Sequence, residues 1–93
     1  MFNRPVVKMS GNKSTPPSQP PTMIPPYCGN PINCESTALK PFINTFIYIW
    51  LINGSSFWMF PKRVIENMIC GYMWSGKNWE VICISCVLIK SYY

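Results

Sequence analysis

The stretch T-F-I-Y-I-W-L-I-N-G-S-S-F-W-M-F, residues 45–60, decides the fold of this chain. Its first half is almost wholly β-branched or aromatic, the composition that suits a pleated and packed strand, and its second half returns with further aromatic residues. Asn53 and Gly54 lie between the halves and tolerate the positive φ angles that hairpin turns require. The stretch therefore predicts a β-hairpin. Its second strand should end, or run as a sheet edge, at Pro61, because proline cannot donate to a ladder.

A second hairpin is predicted after a loop at residues 62–67. Residues 68–74 and 79–84 have strand composition, and Ser75-Gly76-Lys77-Asn78 between them is a typical turn sequence. Residues 87–93 look like a short last strand. Four or five short strands at this spacing predict an all-β domain at residues 42–93, either a small antiparallel meander or an SH3-like or Sm-like barrel.

The N-terminal part of the chain has a different composition. Eight of the ten prolines lie in the first 31 residues, whereas twelve of the fourteen aromatic residues lie at or after Phe42. Because proline fixes φ near the polyproline II value and the tract is poor in apolar residues, residues 1–41 are predicted to be a disordered Pro-rich tail and linker. Pro17 to Pro20 has the PxxP spacing that docks in aromatic grooves, but Pro-rich tracts produce this spacing by chance, which favours the linker interpretation.

The five cysteines are predicted to be free thiols. Their number is odd, and the N-terminus has no continuous apolar core of the kind that a signal peptide needs, so the expected location is cytoplasmic. A CxxC pair, Cys83 and Cys86, could join Cys28, Cys34 and Cys70 in a four-thiolate zinc site. However, residues three apart on a strand point to opposite faces, which favours small buried apolar side chains and no metal.

Catalytic chemistry has little support in this sequence. There is no histidine, and the three carboxylates Glu35, Glu66 and Glu80 are isolated from one another. The five glycines are scattered and form no phosphate-binding loop. We therefore expect a protein that is not an enzyme and that needs no cofactor.

The aromatic residues provide the strongest functional hypothesis. Strand alternation places Tyr48 and Trp50 on one face of the first strand and Ile47 and Ile49 on the other, so neither face is polar. A small β domain buries only its inner face, and the outer aromatic face must be covered by a second copy, the tail, another protein or lipid. The candidate interaction residues are Tyr48, Trp50, Trp58, Trp74 and Trp79. We expect an interaction or structural module that self-associates or docks on a protein partner.

Two alternatives remain open at this point. The uncharged stretch from Phe42 to Phe60 is about as long as a bilayer crossing requires, which would make the protein membrane-associated, although Asn53-Gly54 near its middle is a poor helix sequence. A small nucleic-acid-binding barrel would use the net charge of +5, but only Lys62 and Arg63 are adjacent, and polyanion recognition usually requires clustered cations.

The order of motifs in residues 46–93 resembles a group of short, uncharacterised proteins from spore-forming Gram-positive bacteria. That group combines a Pro-, Gly- or Tyr-rich leader with a C-terminal module of the form Y-x-W-L-x-N-G-x-x-F-W-F-x-P, then G-Y-x-W-x-G-x-x-W, then I-x-S-F. The resemblance implies a compact module and no particular activity, although some members are labelled transporters. The group carries charged residues where this chain has Met73, Cys83, Ser85 and Cys86. The matching positions are Tyr48, Trp50, Leu51, Asn53, Gly54, Phe57, Trp58, Phe60, Pro61, Gly71, Tyr72, Trp74, Gly76, Trp79, Ile89 and Ser91, with Tyr92 in place of Phe.

Overall fold

The chain folds into a small all-β domain, as predicted. A computed structural model describes residues 16–93, so the predictions made for residues 1–15, including the absence of a signal peptide, lie outside the described residues. A one-turn helix, α1 (Ser36–Leu39), and a 3₁₀ turn (Lys40–Phe42) precede the strands. The strands are β1 (Ile47–Leu51), β2 (Ser56–Ile65), β3 (Met68–Trp74), β4 (Trp79–Ser85) and β5 (Ile89–Tyr92), with a 3₁₀ turn (Cys86–Leu88) before the last.

The five strands form one open antiparallel sheet in the order β4-β3-β2-β1-β5. The first four strands are a meander, in which each strand pairs with its successor. The Cys86–Leu88 turn then carries the chain back across the sheet, so that β5 pairs with β1 instead of β4. This return closes one side of the core.

The predicted hairpin turn at Asn53-Gly54 is confirmed. Gly54 has φ +95°, a conformation that favours glycine, and the side-chain oxygen of Asn53 accepts a hydrogen bond from the Ser55 amide at 2.9 Å. In the second hairpin, Gly76 takes φ +102°, and the Ser75 hydroxyl oxygen accepts from the Asn78 amide at 3.1 Å. Local turn chemistry therefore sets both hairpins.

The prediction that the second strand ends at Pro61 is wrong, but the alternative that it runs there as an edge is confirmed. β2 continues through Pro61 to Ile65, and it pairs with β1 only up to Met59 and with β3 on the other side. Two features accommodate the proline. The ladder with β1 ends at Met59, and the register with β3 shifts between Pro61 and Arg63, as at a β-bulge.

The loop predicted at residues 62–67 is therefore much shorter. Lys62 and Arg63 belong to β2, and only Glu66 and Asn67 connect β2 to β3. Glu66 takes φ +56°, which completes this tight turn without glycine.

The core lies on the inner face of the sheet and extends before residue 42, the predicted domain boundary. Leu39 of α1 has no exposed surface and packs in the same cluster as the isoleucines of the strands, and Ile32 and Phe42 pack against it. The one-turn helix thus covers part of the sheet. The buried cluster comprises Leu39, Ile47, Ile49, Met59, Ile69, Ile84, Cys86 and Ile89.

The prediction of free thiols is wrong for four of the five cysteines. Cys34 and Cys86 form one disulfide, with Cα atoms 5.6 Å apart, and Cys70 and Cys83 form a second across the paired strands β3 and β4, with Cα atoms 4.0 Å apart. Only Cys28 is a free thiol, and it is exposed. Of the CxxC pair, Cys86 is buried in the core, as the interpretation as small buried residues expects, whereas Cys83 is exposed. The cellular location stays a prediction.

Candidate functional site

The five predicted interaction residues come together on the face of the sheet that is opposite the isoleucine core. Tyr48 of β1 lies directly across from Trp58 of β2, and Trp74 of β3 lies across from Trp79 of β4. Trp50 follows Tyr48 by two positions and therefore shares its face. Strand alternation predicted this grouping for β1, and the register extends it across four strands.

The rings on this face form two contact clusters. In the first, Tyr48 makes edge-to-face contacts with Trp50 and Trp58, with ring centroids 5.1 and 5.2 Å apart. In the second, Trp79 makes an edge-to-face contact with Trp74 at 5.1 Å and stacks on Phe46 at 6.0 Å. Such aromatic pairs contribute about 0.5–1.5 kcal/mol beyond the area they bury, so the face is rigid as well as apolar.

The chain itself covers part of this face with residues 16–27, which the structure describes without helix or strand. The Trp79 indole Nε1 donates a hydrogen bond to the backbone carbonyl of Ser18 at 2.9 Å. Pro20 is buried, and the Tyr27 ring meets the Trp50 ring edge-on at 5.1 Å. We call residues 16–27 the cover segment. The linker prediction for this tract does not account for these contacts.

The C-terminal end of the cover segment is attached to β5. The Cys28 thiol donates to the Tyr92 carbonyl at 3.2 Å, and the Tyr92 amide donates to the Asn30 carbonyl at 3.0 Å. The Lys90 ammonium lies 5.4 Å from the centre of the Tyr27 ring. A few residues further on, the Cys34–Cys86 disulfide joins the chain covalently to the 3₁₀ turn before β5. The segment is therefore firmly held at one end.

A groove of about 570 Å³ lies between the cover segment and the sheet. Tyr48, Trp58 and Trp74 line it from the sheet, and the cover segment forms the other wall with Pro20 and Pro21. The turn between β3 and β4 contributes the only charged lining residue, Lys77. The cover segment thus leaves substantial open space along the aromatic face.

Two polar groups in this region differ in whether they have a hydrogen-bond partner. The Tyr48 hydroxyl hydrogen-bonds the Ser56 hydroxyl at 2.9 Å. The indole Nε1 of Trp58 is buried and has no hydrogen-bond partner among the residues that the structure describes. Because an unmet buried donor costs free energy, Trp58 is an unusual member of the groove.

Within residues 16–93, the side chains that could support catalysis or metal binding do not come together in one site. Glu35, Glu66 and Glu80 are all exposed, and no three His, Cys, Asp or Glu side chains in this range are grouped so that they could hold a metal. Four of the five candidate zinc ligands are consumed by disulfides.

The membrane and nucleic-acid alternatives each depend on particular residues. The stretch from Phe42 to Phe60 forms the first hairpin, and within residues 16–93 there is no helix with the length and apolar character of a membrane crossing. Lys62 donates to the side-chain oxygen of Asn44 at 2.6 Å and lies 5.7 Å from the centre of the Phe60 ring, while Arg63 is exposed. The two adjacent cations therefore have different surroundings.

Sequence reasoning gave the tail as one possible cover of the aromatic face, but it did not identify the residues that contact the face: Ser18, Pro20 and Tyr27. The PxxP spacing of Pro17 and Pro20 was the available signal, but nothing local distinguishes a docked Pro-rich segment from a linker.

Comparison with known proteins gives no further guide to the site. No protein-family model matches the chain, and neither the curated proteins nor the solved structures include a match to it.

Proposed function

We propose that this protein is a non-catalytic binding module whose aromatic groove accepts an extended, proline-containing polypeptide segment. The observation that carries the proposal is the contact with Ser18. The aromatic face already holds one proline-containing segment, the cover segment, whose Ser18 carbonyl accepts a hydrogen bond from Trp79 and whose Pro20 is buried. The cover segment then acts as an internal ligand that a partner replaces.

The groove has the chemistry that such ligands need. A polyproline II segment has no internal hydrogen bonds, so its carbonyls are free to accept from indole N–H groups. Its prolines present flat apolar surface to aromatic rings, and little conformational entropy is lost on docking because the segment is already extended. Trp79, whose ring contacts the groove residue Trp74, supplies the donor, and Tyr48, Trp58 and Trp74 supply the rings.

The cover segment is built to be displaced. Of residues 16–27, only Pro20 is buried, and Met23 and Ile24 are 76% and 65% exposed. Segments with few buried contacts open at low free-energy cost. A partner segment that fits the aromatic face better can therefore compete with the cover segment. A second copy of the chain is one such partner, because it carries the same segment.

The experiment uses the full chain with the substitution Pro20→Asp, which places a charge at the buried position and releases the cover segment. A fluorescein-labelled peptide with the sequence of residues 16–27, P-P-S-Q-P-P-T-M-I-P-P-Y, is titrated with this variant and followed by fluorescence anisotropy. We expect saturable binding. In the Pro20→Asp/Trp79→Phe double variant we expect binding to be weaker by at least about fivefold, because the phenyl ring has no donor.

A peptide with both central prolines replaced by aspartate is the negative control. Near-ultraviolet circular dichroism checks that the variants keep the packed aromatic face. Binding that is absent in a folded Pro20→Asp chain, or unchanged when Trp79 is replaced, would overturn the proposal.

A further inference from the structure

We propose that the disulfide between Cys70 and Cys83 is a thiol-exchange site. A low-molecular-mass thiol attacks the sulfur of Cys83 and forms a mixed disulfide with it, and Arg63 stabilises the thiolate that Cys70 becomes. The site lies apart from the aromatic groove, and the inference does not depend on the proposed function.

The disulfide lies on the aromatic face of the sheet. Cys70 is four positions from Trp74 on β3, and Cys83 is four positions from Trp79 on β4, so strand alternation places the cysteines and the tryptophans on one face. Both cysteines line a hollow of about 350 Å³ together with Val81, which shares their face. The isoleucines of β3 and β4 that point to the core do not line it. The hollow therefore lies on the side of the sheet to which the disulfide projects.

The approach to the Cys83 sulfur comes from the edge of the sheet. A thiolate attacks a disulfide from the side opposite the departing sulfur. The direction from Cys70 to Cys83 leads from β3 towards β4, and within residues 16–93 no strand lies beyond β4. Cys83 is exposed, and its neighbour on the same face of β4, Val81, is itself 79% exposed. A small thiol can therefore reach Cys83 from beyond the edge strand.

The surroundings of Cys70 suit a departing thiolate. Cys70 is only 7% exposed, so attack falls on Cys83 and Cys70 becomes the leaving group. Arg63 of β2 lies directly across from Cys70 in the β2–β3 ladder and lines the same hollow. A cation beside a thiolate stabilises its negative charge, and a stabilised thiolate leaves faster.

The exchange needs no co-reactant other than the thiol. The small thiol loses its proton to water, and its sulfur forms a bond to the Cys83 sulfur. The electron pair of the broken Cys70–Cys83 bond stays on the Cys70 sulfur, which takes a proton from water. The Cys70 thiolate reverses the step by attacking the mixed disulfide and releasing the small thiol.

The second disulfide provides an internal comparison. Cys86 has no exposed surface and belongs to the core cluster, and Cys34 is only partly exposed. A thiol reaches this pair only after the chain opens around it, which costs free energy. Cys70–Cys83 should therefore exchange first, while Cys34–Cys86 stays intact.

The experiment treats the oxidised, folded full chain with 2-mercaptoethanol, which has no charged group apart from its thiolate. Samples are quenched with acid at intervals, and peptide mapping by mass spectrometry locates the adducts. We expect an adduct on Cys83, with Cys70 as a free thiol, that forms at least about tenfold faster than any adduct on Cys34 or Cys86, because the buried pair needs an opening step.

Substitutions of Arg63 test the stabilisation of the departing thiolate. Arg63→Gln should slow the exchange about threefold, the effect expected of one exposed pair of charges, and Arg63→Lys should restore most of the rate. Lys77→Gln is the matched control, because it removes the same charge at the far end of the β3–β4 hairpin, where salt screens its effect on Cys70. Near-ultraviolet circular dichroism checks that each variant is folded.

Three results would contradict this assignment: equal exchange rates at the two disulfides of the folded chain, an adduct on Cys70 in place of Cys83, or equal rates in Arg63→Gln and Lys77→Gln.

Discussion

The indole Nε1 of Trp79 donates a hydrogen bond to the carbonyl oxygen of Ser18, a residue 61 positions earlier in the chain. This bond joins the fourth strand of the sheet to a proline-rich segment that has no secondary structure of its own. It makes the N-terminal segment part of the domain surface.

The first prediction concerns how the cover segment is anchored. Pro20 is buried whereas Pro26 is exposed, so Pro20→Asp should release the segment and Pro26→Asp should not. Release exposes the Trp79 indole hydrogen to water. Its exchange with solvent, measured by NMR, should become at least about tenfold faster in Pro20→Asp, since loss of about 1.4 kcal/mol of protection corresponds to a factor of ten. Equal rates in the two variants would contradict the anchoring role of Pro20.

The second prediction concerns the cysteines. One free thiol, Cys28, should react with a thiol reagent in the native chain, and four more should appear after reduction and unfolding. Finding five reactive thiols in protein that was never exposed to reductant would contradict both disulfides.

The third prediction compares the contributions of the two disulfides. Their sequence separations are 52 and 13 residues, and a longer closed loop removes more entropy from the unfolded chain. The Cys34→Ser/Cys86→Ser variant should lose about 4 kcal/mol of unfolding free energy and Cys70→Ser/Cys83→Ser about 3 kcal/mol. Urea unfolding measures both, and the reverse order would contradict the loop argument.

The fourth prediction concerns Gly71, which lies opposite Pro61 at the irregular part of β2. A Cβ atom at position 71 would lie 2.4 Å from the Phe60 carbonyl oxygen and 2.8 Å from the Pro61 Cα, both backbone atoms that cannot rotate away. Gly71→Ala should therefore cost about 3 kcal/mol of unfolding free energy.

Gly76→Ala is the matched control for this prediction. Position 76 has φ +102° but no atom within 4 Å of an added Cβ, so only backbone strain of about 1 kcal/mol is expected. Thermal unfolding compares the two variants. If the Gly71→Ala chain is as stable as the Gly76→Ala chain, then β2 and β3 do not approach each other so closely at position 71, which would contradict the prediction.

The sequence was informative wherever the signal was local. Asn53-Gly54 and the turn at residues 75–78 predicted both hairpins, because these turns depend on the φ preferences of a few adjacent residues. Alternation along β1 predicted that Tyr48 and Trp50 share a face. It could not predict that Trp74 and Trp79 join them, since this depends on how four strands are registered.

The predictions that were wrong or incomplete concern contacts between residues that are far apart in the sequence. Of the two alternatives predicted for Pro61, the edge is confirmed and the strand end is wrong, because β2 continues past the end of the β1 ladder with a register shift against β3. The Cys34–Cys86 pair joins residues that only the return of β5 to β1 brings close. The tail was only one of several possible covers of the aromatic face for the same reason, because a PxxP spacing does not show whether the same chain provides a site for it.

The most direct test of the central claim is a comparison of peptide affinity in three full-length chains: the unmodified chain, Pro20→Asp and Pro26→Asp. The labelled peptide of residues 16–27 and the tethered cover segment compete for the same aromatic face, so the apparent dissociation constant of the unmodified chain is the intrinsic one divided by the uncovered fraction. The account predicts that Pro20→Asp binds the peptide at least about tenfold more tightly than the other two chains, which should be equal. Equal affinities in all three folded chains, or no binding in any of them, would contradict it.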